Sequence, residues 1–307
     1  MTKTQNVFIV GTAYSGSTVL GYALNCHKNI AYAGEMNRLE KFTQMYKTAK
    51  IGGCLYCNMH DKPCPLFSKE NIRKIELAGV EGYFSKFREI TGKEIIIDGS
   101  KFLNWMRTVY YSNAFAKNKT KAIISVKNPF SFVQSFVSRE IGLVFEGANM
   151  WRDTYLDAFR TLNSAGIPYM VVRYENYAFK PQDSLEKVCA FLDVEFDKTM
   201  LDFEKKEVHA IGGNLHALTW QDNFRIPPIT MEKKIFSKEK AEKFKSDHKK
   251  FGGWVDDEWK FTLKKEDIQT ILSMPMLSET MNLLGYKIYD LLEEYQKENI
   301  GFGDIKL

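Results

Sequence analysis

The sequence predicts a three-layer α/β fold in which helices flank a central parallel sheet, and two patterns carry that prediction. The first is a set of short, continuous apolar runs, which are typical of strands covered on both faces: Val7–Val10, Ile95–Ile97, Ala122–Val126 and Tyr169–Arg173. The second is helical periodicity between and after these runs, at Thr18–Cys26, Leu103–Ala116, Phe130–Glu140, Trp151–Ala165 and Gln182–Leu192. Alternation of this kind indicates parallel strands joined by right-handed crossovers.

Size and composition are those of a globular protein. The 307 residues include 44% hydrophobic and 26% charged side chains, which is enough to bury a substantial core. The formal net charge is only +5 and is spread along the chain, far from the basic surface that nucleic-acid binding requires. We therefore predict a protein with no nucleic-acid partner.

Two segments depart from the strand-helix alternation. Residues of about 36–93 exceed the length of a simple crossover, and residues of about 205–260 are polar, Lys-rich and interrupted by glycine pairs. In α/β enzymes such excursions form a lid and an acceptor pocket at the carboxyl ends of the strands. We predict one domain over residues 1–307 that carries both segments as insertions.

Neither a membrane span nor a secretory leader is expected. No apolar run approaches the ~20 residues of a membrane helix, and the chain passes from a few polar residues directly into Val7–Val10. The cysteines are odd in number, in a chain large enough to fold without disulfides: Cys26, Cys54, Cys57, Cys64 and Cys189. These features predict a cytoplasmic, mostly reduced protein.

A candidate phosphate loop follows the first predicted strand. Its residues are Gly11, Thr12, Ala13, Tyr14, Ser15, Gly16, Ser17 and Thr18, and a helical pattern begins at once. Two glycines at this spacing let the backbone turn its N–H groups inward, and the helix N-terminus adds partial positive charge. The spacing is that of a P-loop-type fold, but Ser17 replaces the lysine that reaches the β/γ-phosphates of a nucleoside triphosphate. A site for another anion is therefore expected.

A second candidate anion site lies at the end of the third predicted strand. Lys127 closes that strand, Pro129 suits the first turn of a helix, and Ser135 falls two turns further on. A cation at a strand end and a hydroxyl on the next helix can grip one phosphate from two sides.

At these motifs the sequence resembles the PAPS-dependent sulfotransferases (PAPS is 3′-phosphoadenylyl sulfate), most closely the bacterial branch related to tyrosylprotein and carbohydrate sulfotransferases. The motifs follow the family's order over roughly residues 5–263: GTAYSGST, Ala33-Gly34-Glu35, Asp98-Gly99-Ser100-Lys101, VKNPFSFVQS, VVRYENY, His209-Ala210-Ile211-Gly212-Gly213-Asn214 and Asp256-Asp257-Glu258-Trp259. The resemblance implies a transfer of a sulfuryl group from PAPS to a hydroxyl or amine of an acceptor, with release of PAP and no required metal.

The resemblance also implies roles for individual residues. Glu35 would be the general base, and Lys101 would stabilise the sulfuryl group in transfer; Tyr14 is the third candidate catalytic residue. The 5′-phosphosulfate would bind Thr12, Ala13, Tyr14, Ser15, Gly16, Ser17 and Thr18. The 3′-phosphate would bind Lys127 and Ser135, and the remaining nucleotide contacts would be Tyr174, Gly213 and Asn214.

Four features depart from the family pattern. Tyr14 stands where a basic residue usually assists departure of the 5′-phosphate oxygen, and a phenol donates one hydrogen bond without charge. Either Tyr14 donates in its place, Lys101 compensates, or the chain is slow or inactive on ordinary substrates. Lys127 replaces the usual arginine, Phe130 replaces another common basic residue, and an arginine that often follows the Gly-Asn loop is missing.

Two other functions stay open at this point. One is a P-loop kinase of a small molecule, which would need a lysine at position 17. The other is a non-catalytic PAP(S)-binding protein of the same fold, which Tyr14 keeps in consideration. A small metabolite or carbohydrate is the preferred acceptor, while peptide tyrosine and lipid remain possible, and the sequence does not define the oligomeric state.

The remaining motifs are ambiguous. Cys54-x2-Cys57-x6-Cys64, with His60 between, has the residue types of a Cys₃His zinc site, but the span is tight and a reduced or reversibly oxidised loop is preferred. His209 is either a second acid-base group or a buried structural residue.

Most of the aromatic residues considered as acceptor contacts are expected in the core: Trp105, Trp151, Tyr155, Phe159 and Trp220. The lysines of 233–250 predict a solvated helix.

Overall fold

The computed structural model describes residues 4–41, 54–112, 119–218 and 257–298. Its centre is a five-stranded sheet in which every adjacent pair of strands is parallel, in the order β2-β3-β1-β4-β5. The strands are β1 (Gln5–Val10), β2 (Ile30–Gly34), β3 (Ile95–Lys101), β4 (Thr120–Val126) and β5 (Tyr169–Arg173). Helices flank the sheet, so the predicted fold class is confirmed.

The helices that follow the strands agree with the predicted periodic segments to within a few residues, except at two ends. In chain order the α-helices are α1 (Ser17–Asn25), α2 (Leu55–Met59), α3 (Lys69–Leu77), α4 (Gly79–Thr91), α5 (Leu103–Ser112), α6 (Pro129–Val137), α7 (Val144–Ala165), α8 (Tyr174–Phe179), α9 (Pro181–Phe191), α10 (Leu215–Leu218), α11 (Trp259–Thr262), α12 (Lys265–Leu272), α13 (Leu277–Leu283) and α14 (Ile288–Glu298). The 3₁₀ segments are Met36–Arg38 and Lys198–Lys205.

Helix α7 begins seven residues before the predicted Trp151, and packing explains the difference. A Cβ added at Gly147 would lie 3.1 Å from Phe136 and 3.4 Å from Val133, so α6 and α7 approach closely there. Glycine weakens the local helical pattern, but tertiary contact with α6 compensates for its low propensity. Helix α5 is described only to Ser112, and its predicted continuation to Ala116 lies outside the described residues.

Strand β2 is the one strand of this sheet that the apolar runs did not identify. Its sequence, Ile30-Ala31-Tyr32-Ala33-Gly34, contains residues that are poor strand formers, so its local signal is weak. Pairing with β3 and packing against α1 make it a strand, and all five of its residues are buried. Its end places Glu35 at the edge of the sheet.

The first predicted insertion includes a helix that covers the sheet. The ring of Phe84 in α4 meets Phe8 of β1 edge-on, with centroids 5.2 Å apart. Arg88 Nη2 donates to Asn6 Oδ1 at 2.7 Å, which fixes the same helix against β1. Helix α4 therefore serves as the crossover between β2 and β3.

Much of the second predicted insertion, with Trp220, the lysines of 233–250 and Asp256, lies outside the described residues. The part near its end is described, where Trp259 stacks on Phe130 of α6 with centroids 5.2 Å apart. No helix in the described parts of the chain combines the length and apolar character needed to cross a membrane.

Parallel pairing brings the carboxyl ends of all five strands to one edge. A predicted site residue stands at or directly after each end: Gly11, Glu35, Lys101, Lys127 and Tyr174. In open α/β sheets this edge is where ligands bind. The topology therefore brings together groups from widely separated parts of the sequence.

Candidate functional site

The phosphate loop is shaped by two glycines that lack room for a side chain. Gly11 has φ +146°, and a Cβ there would lie 2.2 Å from Ser125 O. Gly16 has φ +80°, and a Cβ there would lie 2.3 Å from the ring of Tyr174. Only glycine tolerates both the backbone conformation and the close approach. Gly16 then caps α1, so the free N–H groups of the first helical turn point into the loop.

The hydroxyl side chains of the loop have different surroundings. Thr12 Oγ1 lies 3.1 Å from the Tyr155 hydroxyl, which in turn donates to Ser125 O at 3.0 Å. This contact uses Thr12 to fix the loop to the core. Ser15 Oγ is buried and makes no hydrogen bond among the described residues. A buried hydroxyl without a partner is costly, and here it is available for the oxygen of a bound anion.

Lys127 and Ser135, the residues of the second candidate anion site, lie side by side in the fold. Lys127 Nζ donates to Ser135 Oγ at 3.0 Å, and each residue is only 2% exposed. Asn128 caps α6 by accepting from Ser131 N at 2.9 Å, and Trp151 Nε1 donates to Lys127 O at 2.8 Å. Rigid elements therefore hold the ammonium and hydroxyl groups together, as the Lys127–Ser135 spacing predicted.

Tyr174 lies between the two candidate anion sites. Its ring lies against Gly16, and its centroid is 5.9 Å from Lys127 Nζ. Glu175, the next residue, accepts from Asn128 N at 2.8 Å and from the Tyr286 hydroxyl at 2.7 Å. The end of β5 therefore braces the start of α6, and the phosphate loop and the Lys127–Ser135 pair border one continuous region.

Glu35 and Lys101 meet at the neighbouring strand ends. Lys101 Nζ donates to Glu35 Oε1, and Arg38 Nε lies 3.0 Å from Glu35 Oε2. Glu35 is 5% exposed, so its carboxylate is held between two cations with little water. Gly11 N donates to Lys101 O at 3.3 Å, which places the pair directly beside the phosphate loop.

Lys101 adopts a backbone conformation that is unfavourable for a lysine. Its φ is +70°, in the left-handed region where a Cβ is crowded, and it ends β3 after an irregular register with β1. Strain of this kind persists where the surrounding structure enforces it, and it concentrates at functional sites. It turns the lysine from the strand edge toward Glu35.

A buried carboxylate fixes the turn before Lys101. Asp98 accepts from Tyr83 at 2.7 Å, Trp105 at 2.6 Å and Ser100 N at 2.7 Å. Burial raises the pKa of Asp98 above its ordinary value, while the donated hydrogen bonds oppose that shift. Trp105 thus supports the motif that carries Lys101. Ser100 Oγ also accepts from Asn37 N at 3.1 Å, which ties the turn to the segment after Glu35.

Arg139 is a candidate that the sequence analysis missed. Its guanidinium carbon lies 4.4 Å from the centroid of the Tyr14 ring, and Nη1 donates to Ser135 O at 2.9 Å. Tyr14 has φ +62°, so the loop presents its ring toward this arginine. The four-residue spacing from Ser135 could have predicted that Arg139 lies on the same side of the chain as Ser135. Its contact with Tyr14 depends on the tertiary structure. Arg38, beside Glu35, was missed in the same way.

The Gly213-Asn214 segment lies beside the phosphate loop. Asn214 N donates to Thr18 Oγ1 at 3.2 Å, and a Cβ at Gly213 would lie 3.1 Å from Thr18 Cγ2. Ile211 N donates to Ala33 O at 3.0 Å and Glu35 N donates to Ile211 O at 2.6 Å, so the same segment extends the edge of the sheet at β2. His209 is turned toward cysteines, with Nδ1 3.3 Å from Cys57 Sγ, which favours the structural interpretation of this histidine.

The aromatic residues of α7 lie in the core, as expected. Trp151 and Tyr155 are fully buried and Phe159 is 9% exposed. Trp151 and Tyr155 donate hydrogen bonds to the carbonyls of Lys127 and Ser125. They position the strand end beneath the site.

Two solved structures share this fold over most of both chains. The sulfotransferase domain from the curacin biosynthetic pathway has a TM-score of 0.57 at 18% identity, covering 94% of this chain and 99% of that chain. The sulfotransferase domain from the Synechococcus PCC 7002 olefin synthase has a TM-score of 0.51 at 19% identity, covering 89% and 95%. At these identities the likeness establishes the fold, which agrees with the motif resemblance. No protein-family model and no curated protein matches the chain.

Proposed function

We propose that the chain is a sulfotransferase that moves a sulfuryl group from PAPS to a hydroxyl or amine of an acceptor, and releases PAP. One observation carries the proposal: the phosphate loop and the Lys127–Ser135 pair border one region through Tyr174, with Glu35 and Lys101 beside it. Two anion sites fit a nucleotide that carries phosphate at both its 3′ and 5′ positions. The preferred acceptor is a small metabolite or carbohydrate, and a cytoplasmic location remains a prediction.

The residues present suit this nucleotide. The unpartnered Ser15 hydroxyl and the N–H groups that begin α1 would hold the 5′-phosphosulfate. Lys127 and Ser135 would hold the 3′-phosphate, because a buried ammonium gains most from a charged partner. Tyr174, Gly213 and Asn214 would line the nucleotide between and beside these sites.

The proposed chemistry rests on positioning and charge. Bound PAPS supplies an activated sulfuryl group, and that group moves in line from the 5′-phosphate oxygen to the acceptor oxygen or nitrogen. Glu35 would accept the acceptor's proton, a contribution of about 10²–10⁴-fold in rate. Lys101 and the loop N–H groups would stabilise the negative charge on the oxygens of the group in transfer.

Arg139 provides the positive charge that Tyr14 lacks. The guanidinium lies over the Tyr14 ring and donates to the backbone oxygen of Ser135, so it would be close to the proposed 5′-phosphosulfate position. A cation held there can stabilise the charge that develops on the departing phosphate oxygen, while the Tyr14 ring keeps the guanidinium in place. We therefore expect catalysis without a basic residue at position 14.

Nucleotide binding and product analysis test the function directly. PAP is expected to raise the melting temperature of the protein, while AMP and ATP at the same concentration are expected to have less effect. Incubation with PAPS and a panel of hydroxylated and aminated metabolites and carbohydrates should give an acceptor heavier by one sulfuryl group and an equal amount of PAP. Protection by ATP but not PAP would favour the kinase, and PAP binding without any transfer would favour the non-catalytic binding protein.

Gly16→Ala is expected to abolish most PAP binding. The new Cβ would meet the Tyr174 ring at 2.3 Å and distort the contact between the two anion sites. Gly92→Ala is the matched control, because Gly92 also has positive φ (+67°) but has nothing within 4 Å of an added Cβ. Backbone strain alone should cost each variant about 1–2 kcal/mol of stability, and the contact with Tyr174 adds to that loss in Gly16→Ala. Titration with PAP should show a large loss of affinity in Gly16→Ala alone, and equal affinities would contradict the placement of the nucleotide.

Arg139→Ala is expected to slow single-turnover transfer from PAPS by about 10–100-fold, since a hydrogen bond to a charged group is worth about 1.5–3 kcal/mol. Tyr14→Phe keeps the ring beneath Arg139 and should lose less. Arg160→Ala, an exposed arginine on α7, should leave the rate unchanged. A greater loss in Tyr14→Phe than in Arg139→Ala would instead assign the leaving-group role to the phenol.

A further inference from the structure

Three cysteines and one histidine converge beside β2, outside the proposed nucleotide site. Each of Cys54, Cys57, Cys64 and His209 offers one ligand atom, and these four atoms all lie within 4.8 Å of one another. The cysteines are all buried and none forms a disulfide. The histidine lies 145 residues or more from the cysteines in sequence, so folding alone brings this set together.

The distances within the cluster suit a tetrahedral metal ion. His209 Nδ1 lies 3.8 Å from Cys54 Sγ, 3.3 Å from Cys57 Sγ and 3.7 Å from Cys64 Sγ. In a tetrahedral zinc site, bonds of about 2.3 Å to sulfur and 2.0 Å to nitrogen separate these two ligand atoms by about 3.5 Å. The three observed separations bracket that value.

Groups around the cluster orient the histidine and stabilise a thiolate. His209 Nε2 lies 3.4 Å from Glu207 Oε2, and Lys62 Nζ binds the other oxygen of that carboxylate at 2.7 Å. A carboxylate on the far nitrogen of a ligating imidazole fixes its tautomer and orientation. Phe67 N donates to Cys64 Sγ at 3.3 Å, a contact that stabilises a thiolate. These groups prepare Nδ1 and sulfur to act as ligands.

We propose that Cys54, Cys57, Cys64 and His209 bind one Zn²⁺ ion as a structural Cys₃His site. Three thiolates and an imidazole select zinc over magnesium or calcium, which prefer oxygen ligands. Four protein ligands fill a tetrahedral shell and leave no position for substrate, as in structural rather than catalytic zinc sites. The sequence places His60 nearest to the cysteines and favours a reduced or reversibly oxidised loop; within the described residues, the histidine that meets the cysteines is His209.

The site would fasten two distant segments to the edge of the sheet. Cys54 and Ile211 form an antiparallel bridge, and Ile211 is bridged in parallel to Gly34. Ile211 O accepts from Glu35 N at 2.6 Å, and the proposed ligand His209 lies two residues before Ile211 in the chain. Zinc would thus stabilise residues 54–64 within the first insertion and the segment leading to Gly213-Asn214. The inference does not depend on the identity of the nucleotide or acceptor.

Metal analysis of the purified full-length protein tests the site. Inductively coupled plasma mass spectrometry should find about one zinc per chain, as a single closed site requires. Cys57→Ser and His209→Ala should lose the bound zinc and have lower melting temperatures. Cys26→Ser and Cys189→Ser are matched controls, because these cysteines lie outside the cluster, and both should retain the metal.

A second measurement needs no variant. After zinc is removed with a chelator, Co²⁺ should restore thermal stability and give the intense visible absorption of a tetrahedral cobalt–thiolate site. Zinc added later should displace cobalt and remove that absorption. The proposal fails if the native chain contains no stoichiometric metal and takes up neither ion, or if intact-mass analysis shows a disulfide among the three cysteines. Neither result would bear on the binding of PAP.

Discussion

Glu35→Gln is expected to slow single-turnover sulfuryl transfer from labelled PAPS by about 10²–10⁴-fold, the range of a positioned general base. The amide keeps the shape of the side chain and can still accept from Lys101, but it cannot accept the acceptor's proton. PAP affinity should persist, because Glu35 faces Lys101 and Arg38 rather than the phosphate-binding groups. Rapid quench with labelled PAPS measures the rate, and calorimetric titration with PAP measures the affinity.

The control is Glu40→Gln. Glu40 is an exposed glutamate two residues after the 3₁₀ segment Met36–Arg38. It removes one negative charge from the neighbourhood and should leave the rate unchanged. Lys101→Ala should also lose most of the rate while PAP still binds. If Glu35→Gln and Lys101→Ala both turned over like the unchanged protein, neither residue would have its proposed role.

Lys127→Met is expected to remove the preference of the protein for PAP over AMP. Methionine roughly preserves the buried volume but leaves the 3′-phosphate without its cation, a loss of about 1.5–3 kcal/mol or about 10–100-fold in affinity. AMP has no 3′-phosphate, so its affinity should change little. The ratio of the two dissociation constants therefore isolates the contribution of this one contact from any general effect on folding.

Lys121→Met is the matched control on the same strand. Lys121 lies at the opposite end of β4, where its Nζ donates to Asp193 and to Phe191 O. Its replacement should lower stability modestly and keep the preference for PAP. Ser135→Ala should weaken PAP binding less than Lys127→Met, because it removes a neutral donor. An unaltered PAP to AMP ratio in Lys127→Met would exclude this pair as the 3′-phosphate site.

Much of the backbone geometry around the candidate site could be predicted from local sequence. Gly11 and Gly16 stand where the backbone has positive φ, and Asn128-Pro129 caps and begins α6. Lys127 and Ser135 are eight residues apart, so a strand end and two helical turns bring them to 3.0 Å. The distance between Lys127 and Ser135 depends mainly on the conformation of the residues that separate them. A local sequence motif could therefore predict it.

Other parts of the site could not be predicted from local sequence patterns. Strand β2 has a weak local signal because Ala31, Ala33 and Gly34 are poor strand formers, and pairing with β3 stabilises the strand. Arg139 lies over Tyr14 only because α6 runs beside the phosphate loop. His209 meets the cysteines across 145 or more residues, whereas the sequence had placed His60 nearest to them.

The sequence by itself determined the α/β class, four of the five strands, the phosphate loop and the Lys127–Ser135 spacing, since each depends on backbone preferences and periodicity within short windows. Only the tertiary structure decided which strand ends became neighbours, and with them the Glu35–Lys101 pair and the Cys₃His cluster. The physical reason is that sheet order and packing, which involve the whole chain, set the distances between residues far apart in sequence.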